Sequence, residues 1–384
     1  MALPKHKRVA LVIDSMTAPR RTMMSGIARF MQEHEPWSIY LKPPFIEAEI
    51  DKWLQTWRGD GVLGRLTAQD AIALKRAGLP FVDVAGVDRA QGGYLVRAND
   101  RRIGQVGAEH LLERGFKSFA FFEIVNAFWA RHRFEGFSEV VQKAGFEAQR
   151  YVVDKPSARP AGPEHWDQQQ CEIGHWIAAL PKPVGIMTTT DFLGRQVLEA
   201  CLRIGVSVPE AVAVLGADND EPMCRISTPP LSSVIINDEQ RGYESARLLS
   251  ELMNGKTPAR QTVLIDPSGV FVRASTDVLA IEDETMVLAL RYLRENVEHS
   301  LSVDRLVDEL GVSRSTLDRR FRRLLGRSVN DEIVRLRINH AVRLLSETHL
   351  PLKAIAQRCG FSSQAYMSTV FSAKLRRTPS SYRR

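Results

Sequence analysis

The sequence predicts an α/β domain built on parallel sheets, followed by an all-α domain with two helix-turn-helix units. Strand-like apolar runs alternate with amphipathic stretches as far as residue 276, and from Glu284 onward the periodicity is helical throughout. The last part carries 19 Lys and Arg against 10 Asp and Glu, whereas the preceding part carries 33 against 35. A basic module on a near-neutral body indicates that the second domain binds a polyanion.

The composition is that of a globular protein, with 384 residues, 44% hydrophobic and 25% charged. The apolar runs fall far short of about 18 residues, so we expect no membrane span. Asp14 interrupts the apolar stretch near the N-terminus and no cleavage site follows, so we expect no signal peptide. The four cysteines lie far apart without a CxxC pair, which favours reduced thiols in the cytoplasm and argues against a disulfide or metal site.

The α/β part begins with a strand that we place at Val9 to Ile13. Further strands are predicted by the runs "GVLGRL", "PFVDVAG", "SFAFFEIV", "GIMTTT" and "VAVLGAD". Helical stretches such as "RRTMMSGIARFMQEH" between them imply parallel sheets covered on both faces. Ligands of such sheets bind at the carboxyl ends of strands. The loops to consider are therefore Asp14–Ser15, Ala98–Asp100, Asn126–Arg133, Thr190–Asp191 and Asp218–Asn219.

One motif suggests a nucleotide cofactor but lacks the required context. The segment "GDGVLG" at Gly59 to Gly64 satisfies the GxGxxG pattern of dinucleotide-binding loops. Such a loop follows a strand and opens a helix, whereas this one follows a helix-like stretch and leads into a strand. We therefore interpret it as a turn and expect no cofactor.

Several segments of the α/β part resemble the effector-binding core of LacI-type repressors. They are "ANDRRIGQVGAEHLLERG", "RHRFEGF", "TTDFLGRQVLEACLRIGVSVPEAVAVLGADND", "PPLSSV" and "VFVRAST". The resemblance implies a two-lobed, periplasmic-binding-protein-like (type I) sensor domain over 1–276, with a ligand in the cleft. Lobe one would hold about 8–100 plus a helix near 239–253. Lobe two would hold about 104–236 plus the last strand near 262–273.

The same resemblance and the strand-end positions give seven candidate ligand-binding residues. The guanidinium of Arg133 can donate to two adjacent hydroxyls, and the carboxylate of Asp218 can accept two hydroxyl protons. Trp129 and Phe128 offer flat apolar faces for sugar C–H groups. The candidates are Ser15, Asp100, Trp129, Arg133, Thr190, Asp191 and Asp218.

Alternatives remain open for four of these residues. Asp191 either contacts the ligand or caps the helix that follows it. Asp100 either contacts the ligand or braces the crossover between the lobes, and Trp129 can instead belong to a core. Sugar binders of the resembling family commonly carry asparagine where this chain has Thr190.

Two helix-turn-helix units are predicted in the basic part. In "VDRLVDELGVSRSTLDRRF", Gly311 supplies the turn, Ser313 is an N-cap, and the second helix buries Leu317, Phe321 and Leu324. A similar unit, "LKAIAQRCGFSSQAYMSTVF", recurs about 50 residues later with one extra residue in its turn. A long helix from Asn330 to Glu347 would space the units, and two such units can enter major grooves about 34 Å apart.

This double unit resembles AraC-type DNA-binding domains over 285–384, which leaves 277–284 as a linker. We expect Arg319 to contact guanine, Gln364 to read adenine, and Tyr366 to press on a thymine methyl or a sugar. The predicted DNA-binding residues are Ser315, Thr316, Asp318, Arg319, Arg323, Gln364, Ala365, Tyr366, Ser368 and Thr369.

A second group of arginines is predicted to meet phosphates. The alternative for each of them is a solvated helix face. Asp318, which lies among these arginines, is predicted to contact DNA, with orientation of Arg319 as the alternative. The phosphate candidates are Arg320, Arg322, Arg323 and Arg327.

A LacI-like core followed by an AraC-like domain resembles the family of bacterial xylose operon regulators. The resemblance implies a homodimeric activator that binds double-stranded DNA, acts with RNA polymerase, associates with the nucleoid and takes D-xylose as its effector. Another monosaccharide is the first alternative, and a sugar-binding protein without a DNA role is the second. HExxH, GxSxG and P-loop motifs are absent from the sequence, so we expect no enzyme.

Overall fold

The computed structural model describes residues 6–13, 17–42, 57–84, 93–153, 162–278, 283–297, 302–348 and 350–382. The chain divides into two compact units, one of residues 1–209 and 213–277 and the other of 278–384 with 210–212, so the main boundary lies inside the predicted linker. In the part that the structure describes, no helix combines the length and apolarity needed to cross a membrane. All four cysteines are free thiols.

The first unit alternates strands and helices, as the apolar runs predicted. Its elements in chain order are β1 (Lys7–Val12), α1 (Ala18–Glu33), β2 (Trp37–Leu41), β3 (Gly61–Gly64), α2 (Ala68–Arg76), β4 (Phe81–Asp83), β5 (Tyr94–Ala98), α3 (Asp100–Glu113), β6 (Ser118–Ile124), α4 (Phe128–Lys143), β7 (Ala148–Val153), α5 (Pro163–Ala179), β8 (Val184–Thr188), α6 (Asp191–Arg203), β9 (Val212–Ala217), α7 (Glu221–Ile226), β10 (Ser232–Ile235), α8 (Asp238–Met253), β11 (Thr262–Ile265) and β12 (Gly269–Phe271).

These strands form two six-stranded sheets, one in each lobe. The first has the order β11-β5-β4-β3-β1-β2, and all of its pairings are parallel. The second has the order β12-β10-β9-β8-β6-β7, with β12 antiparallel to β10. The run "GVLG" is strand β3, so the glycine-rich segment leads into a strand as predicted.

The end of the first unit differs from the prediction. We expected one last strand near 262–273 in lobe two, but the structure has two short strands there, β11 and β12. Strand β11 pairs with β5 in the first sheet, and β12 pairs with β10 in the second. The chain therefore crosses between the lobes at 266–268, which a single strand could not do.

Each lobe buries its own apolar core. In the first lobe Leu248 and Leu249 of α8 pack with Ile27 and Phe30 of α1. In the second lobe four phenylalanines of β6 and α4 are at most 1% exposed: Phe119, Phe121, Phe122 and Phe137. Because both sheets are covered by helices, the strand ends are the parts of the sheets that remain open to a ligand.

The second unit is helical. Its elements are α9 (Glu284–Glu295), α10 (Val303–Leu310), α11 (Arg314–Leu325), α12 (Val329–Glu347), α13 (Leu352–Arg358) and α14 (Gln364–Leu375). Helix α12 joins two separate cores. Its N-terminal half packs Ile333 and Leu336 against α10 and α11, whereas its C-terminal half packs Ala341 and Leu345 against α13 and α14. A helix of 19 residues is about 28 Å long, so α12 holds the two helix-turn-helix units apart within one unit.

Candidate functional site

A cavity of about 730 Å³ lies where the carboxyl ends of the strands of both sheets meet. This volume is within the range of small-molecule sites in proteins. Six of the seven predicted ligand residues line it: Asp100, Trp129, Arg133, Thr190, Asp191 and Asp218. The seventh, Ser15, lies outside the described residues.

Arg133 lies at the base of the cavity and is held from two sides. Its Nε donates to Asp100 Oδ1 at 3.0 Å, and its Nη1 donates to the carbonyl of Thr189. Nη1 also lies 3.7 Å from Asp218 Oδ1, too far for a hydrogen bond. Asp100 therefore braces Arg133, and Nη1 of the guanidinium lies beside Asp218.

The two predicted aromatic residues occupy different places. The Arg133 guanidinium lies 4.9 Å from the centre of the Trp129 ring, so this half-buried ring faces the cavity and is not part of a core. Phe128 does not line the cavity. Its ring lies under the guanidinium of Arg97 at 5.3 Å and against the edge of His132.

The alternative that Asp191 caps its helix is wrong. The N-cap of α6 is Thr190, whose hydroxyl accepts from the amide of Leu193 at 3.3 Å. Asp191 is buried, and its carboxylate accepts from Ser233 Oγ at 2.5 Å and from the amide of Asp220 at 2.7 Å. The predicted Thr190 hydroxyl is thus engaged by the backbone, while Asp191 ties together the loops that follow β8, β9 and β10.

Asp218 ends strand β9 in an unusual backbone conformation. Its φ is 114° and that of the next residue, Asn219, is 51°, both in a region that costs non-glycine residues energy. Burial raises the pKa of Asp218 well above its usual value. Asp191 and Asp238 raise it further, and Arg133 and Arg241 lower it. Burial likewise raises the pKa of Asp191 to about 7. These acids therefore hold protons more tightly than exposed ones, and a protonated Asp218 can donate to a sugar oxygen.

The sequence reasoning missed several residues that line the cavity. Asp238 and Arg241, at the start of α8, form an ion pair of 2.5 Å. Four cationic side chains of the first lobe also line it: Arg20, Lys42, Arg65 and Arg97. Lys42 and Arg65 directly follow β2 and β3. The rule that ligands bind after strands would have found Arg65, but not Lys42, because β2 itself was not predicted.

Two close helix crossings fix the backbone around these residues. A Cβ on Gly104 of α3 would lie 1.9 Å from the carbonyl oxygen of Arg133, and one on Gly136 of α4 would lie 1.9 Å from that of Arg101. Gly26 of α1 and Gly242 of α8 face carbonyl oxygens in the same way. Glycine is required here because only its missing side chain lets the backbones approach so closely. The crossing of α3 and α4 therefore sets the distance between Asp100 and Arg133.

The first predicted helix-turn-helix unit is formed by α10 and α11. Gly311 has a φ of 60°, as a tight turn requires, and Ser313 caps α11 by accepting from the amide of Thr316 at 3.2 Å. Leu317 and Phe321 are fully buried as predicted, but the third buried residue is Leu325, with Leu324 only partly buried. Ser315 and Arg319 are exposed on the opposite face. Among the described residues, Arg319 has no ion-pair partner.

The second unit is formed by α13 and α14. Gly360 has a φ of 69°, and Ser363 caps α14 by accepting from the amide of Tyr366 at 3.1 Å. The predicted contacts Gln364, Ala365, Tyr366 and Thr369 are exposed, and Ser368 is half-buried. Both units thus present a capped helix whose outer face carries polar side chains.

The roles predicted for some charged side chains need correction. Asp318 does not pair with Arg319: it accepts from Arg322 Nε at 2.9 Å and from the amide of Val329 at 3.3 Å. Arg320 pairs with Asp283 at 2.8 Å, and Arg327 pairs with the buried Glu332. Four of the predicted DNA contacts therefore already have partners in the protein: Asp318, Arg320, Arg322 and Arg327. Arg323 is exposed, 3.8 Å from Asp283, and stays a candidate phosphate contact.

Each of the two parts of the chain matches a known protein family. A family model described as a periplasmic binding protein-like domain matches residues 108–276, and one described as a helix-turn-helix domain matches 306–384. The chain is 30% identical to the xylose operon regulatory protein of Escherichia coli K12, covering 99% of this chain and 97% of that protein. It is 27% identical to the Haemophilus influenzae protein of the same name, with coverage of 99% and 98%.

A solved structure described as the xylose-binding transcription activator xylR matches over the same extent. The TM-score is 0.80 at 28% sequence identity, and the match covers 99% of this chain and 98% of the other. The relatives are regulators of transcription, in agreement with the expectation that the chain is not an enzyme. The chain belongs to the family of the xylose operon regulatory proteins.

Proposed function

We propose that this chain is a sugar-responsive activator of transcription and that D-xylose is the first effector to test. The observation that carries the proposal is the Arg133 site. A guanidinium fixed by Asp100 and oriented beside Asp218 lines a cavity between two α/β lobes. The fork of Arg133 donates to adjacent hydroxyls, and Asp218 exchanges hydrogen bonds with them. The N-capped helices α11 and α14 expose polar side chains that can contact the edges of DNA bases.

In the proposed mechanism, closure of the two lobes links sugar binding to DNA binding. Sugar binding closes the lobes around the ligand, and closure changes the relation between the two protomers of a homodimer. The paired helix-turn-helix units then engage paired DNA sites and recruit RNA polymerase. The sugar can shift the equilibrium between the open and closed states only by the difference between its affinities for these two states. The names of the full-length relatives support the xylose assignment and the activating role.

The test is a titration of the full-length chain on DNA with and without D-xylose. The duplex is selected from a random pool by the chain itself, and binding is followed by fluorescence anisotropy. We expect D-xylose to shift the DNA affinity by about 5- to 150-fold, the usual range for coupling between two sites.

Two variants sharpen the test. Arg133→Ala removes the group that contacts the sugar and should abolish the shift. Arg131→Ala is the control, because Arg131 lies on the same helix α4 with its side chain 65% exposed. Identical DNA affinity with and without every sugar of a monosaccharide panel would refute the sensing role.

A further inference from the structure

A second pair of an acid and an arginine lines the cavity at a crossover between the lobes. Strand β10 belongs to the second sheet, whereas helix α8, which follows it, packs in the core of the first lobe. Asn237 lies between them with a φ of 66°, and Asp238 and Arg241 lie in the first turn of α8. Asp238 is buried, and its Oδ1 lies 2.5 Å from Nη2 of Arg241. The pair is therefore located where the chain passes from the second lobe to the first.

An ion pair between residues three apart in a helix often serves the helix alone. Two observations distinguish the pair of Asp238 and Arg241. Both side chains line the cavity. The Nε of Arg241 is buried, and among the described residues it has no hydrogen-bond partner. Because a buried donor without an acceptor is costly and rare, this nitrogen calls for an acceptor that enters the cavity.

The new pair and the Arg133 site lie around the same carboxylate. Nη1 of Arg133 lies 3.7 Å from Oδ1 of Asp218. Burial raises the pKa of Asp218, whereas Arg133 and Arg241 both lower it, so both guanidinium groups are within electrostatic range of this acid. Arg133 extends from α4 of the second lobe, and Arg241 extends from α8 of the first. A ligand held between the two arginines therefore contacts both lobes.

The backbone that carries Arg241 is fixed by a close helix crossing. A Cβ on the next residue, Gly242, would lie 1.9 Å from the carbonyl oxygen of Met23 in α1. Only glycine allows backbones to approach so closely. The amide of Arg241 also donates to the carbonyl of Asn237 at 3.2 Å. The crossing of α1 and α8 thus positions Arg241, as the crossing of α3 and α4 positions Arg133.

We propose that Arg241 is a second sugar-contacting residue and that Asp238 is its positioning residue. The Nε of Arg241 donates to one hydroxyl oxygen of a neutral pentose, while Arg133 and Asp218 bind other hydroxyls. The proposal rests on the proposed function, because it adds a contact to the same cavity. A donor from each lobe favours the closed state when the sugar is bound.

The contact of Arg241 would also determine which pentose is accepted. Epimers differ only in the direction of one hydroxyl group. A site built to bind a hydroxyl rejects the analogue that does not supply it, since the buried donor is then left without a partner. Arg241 should therefore discriminate D-xylose from one of its epimers more strongly than from the others.

The test is isothermal titration calorimetry of the full-length chain with D-xylose, D-lyxose, D-ribose and L-arabinose. Each of the last three inverts one hydroxyl of D-xylose. Arg241→Lys keeps the charge that pairs with Asp238 but has no donor at the Nε position. We expect its affinity for D-xylose to fall by about 10- to 100-fold, as for the loss of one hydrogen bond from a charged donor. The ratio of affinities for D-xylose and one epimer should fall most, which identifies the hydroxyl that Arg241 contacts.

Two more variants complete the test. Asp238→Asn keeps the shape of the side chain but removes the charge that holds Arg241, so it should lower the same affinity ratio. Arg247→Lys is the matched control. Arg247 also pairs with an acid three residues away on α8, Glu244 at 2.8 Å, but it does not line the cavity. Its affinities for the four pentoses should equal those of the native chain.

The outcomes separate this inference from the function on which it rests. Native affinity and selectivity in Arg241→Lys would show that the pair is only structural, which overturns the inference and leaves the sugar sensor intact. Equal losses of affinity for all four pentoses would overturn the role in specificity. Binding of none of the four pentoses by the native chain would overturn both the D-xylose assignment and this inference.

Discussion

At the close crossing of α3 and α4, a single substitution should change the affinity for sugar. In the variant Gly104→Ala, the new Cβ would lie 1.9 Å from the carbonyl oxygen of Arg133. An ordinary contact is about 3.4 Å, so the helices must separate by about 1.5 Å. A displacement of that size breaks the 3.0 Å hydrogen bond from Arg133 to Asp100. The arginine then loses its orientation toward the ligand.

The expected magnitudes follow from this geometry. Overpacking costs about 1–3 kcal/mol, and the better helix propensity of alanine offsets up to about 1 kcal/mol of it. We therefore expect the free energy of unfolding to fall by about 1–2 kcal/mol in urea denaturation. The affinity for the tightest-binding sugar should fall by about tenfold or more in calorimetry, because misplacement of a binding group by about 1 Å is costly.

A matched control separates crowding from the mere presence of alanine in a helix. Gly174 lies inside α5 of the same lobe, and its Cβ would meet only a side-chain methyl of Ile204, at 3.0 Å. Gly174→Ala should therefore keep the sugar affinity and change the stability little. Unchanged sugar affinity in Gly104→Ala would refute the claim that the crossing positions Arg133.

Three further predictions concern the reading of DNA, the second helical core and the buried acids. Arg319→Ala should weaken binding to the selected duplex by about 1–3 kcal/mol and leave binding to random DNA almost unchanged, as measured by anisotropy with both duplexes. Phe371→Ala should destabilise the second helix-turn-helix unit by about 3–5 kcal/mol in denaturant titration, because this ring is fully buried. Asp191 has a folded-state pKa raised to about 7 from 3.8, so its protonated form stabilises the fold at low pH, and this contribution is lost as pH rises through 7. Relative to Asp191→Asn, the native chain should therefore lose stability between about pH 4 and 8, by at most about 4 kcal/mol, and a flat difference would contradict the raised pKa.

Local signals explain why the helical unit could be predicted in detail. Ser313 before α11, glycine in each turn and apolar residues at helical spacing all act within a few residues, so the sequence displays them directly. The ion pair between Asp318 and Arg322 could also have been predicted from the sequence. Residues four apart lie on the same face of a helix, which favours Arg322 over the adjacent Arg319.

Long-range contacts explain the errors in the α/β part. Asp191 is bound by Ser233, 42 residues away, so its role depends on the assembled sheet. Strand β2 was missed because it is the edge of its sheet and four of its five residues are exposed, which removes the usual apolar pattern. The split of the last strand into β11 and β12 depends on pairing with two different sheets.

The central claim is that one chain couples a sugar cavity to DNA-binding helices. Coupling is reciprocal, so if a sugar changes the affinity for DNA by some factor, DNA must change the affinity for that sugar by the same factor. The direct measurement is calorimetric titration of the full-length chain with its sugar, in the absence and in the presence of saturating selected duplex. We expect two different dissociation constants whose ratio equals the shift in DNA affinity. Equal dissociation constants would contradict it.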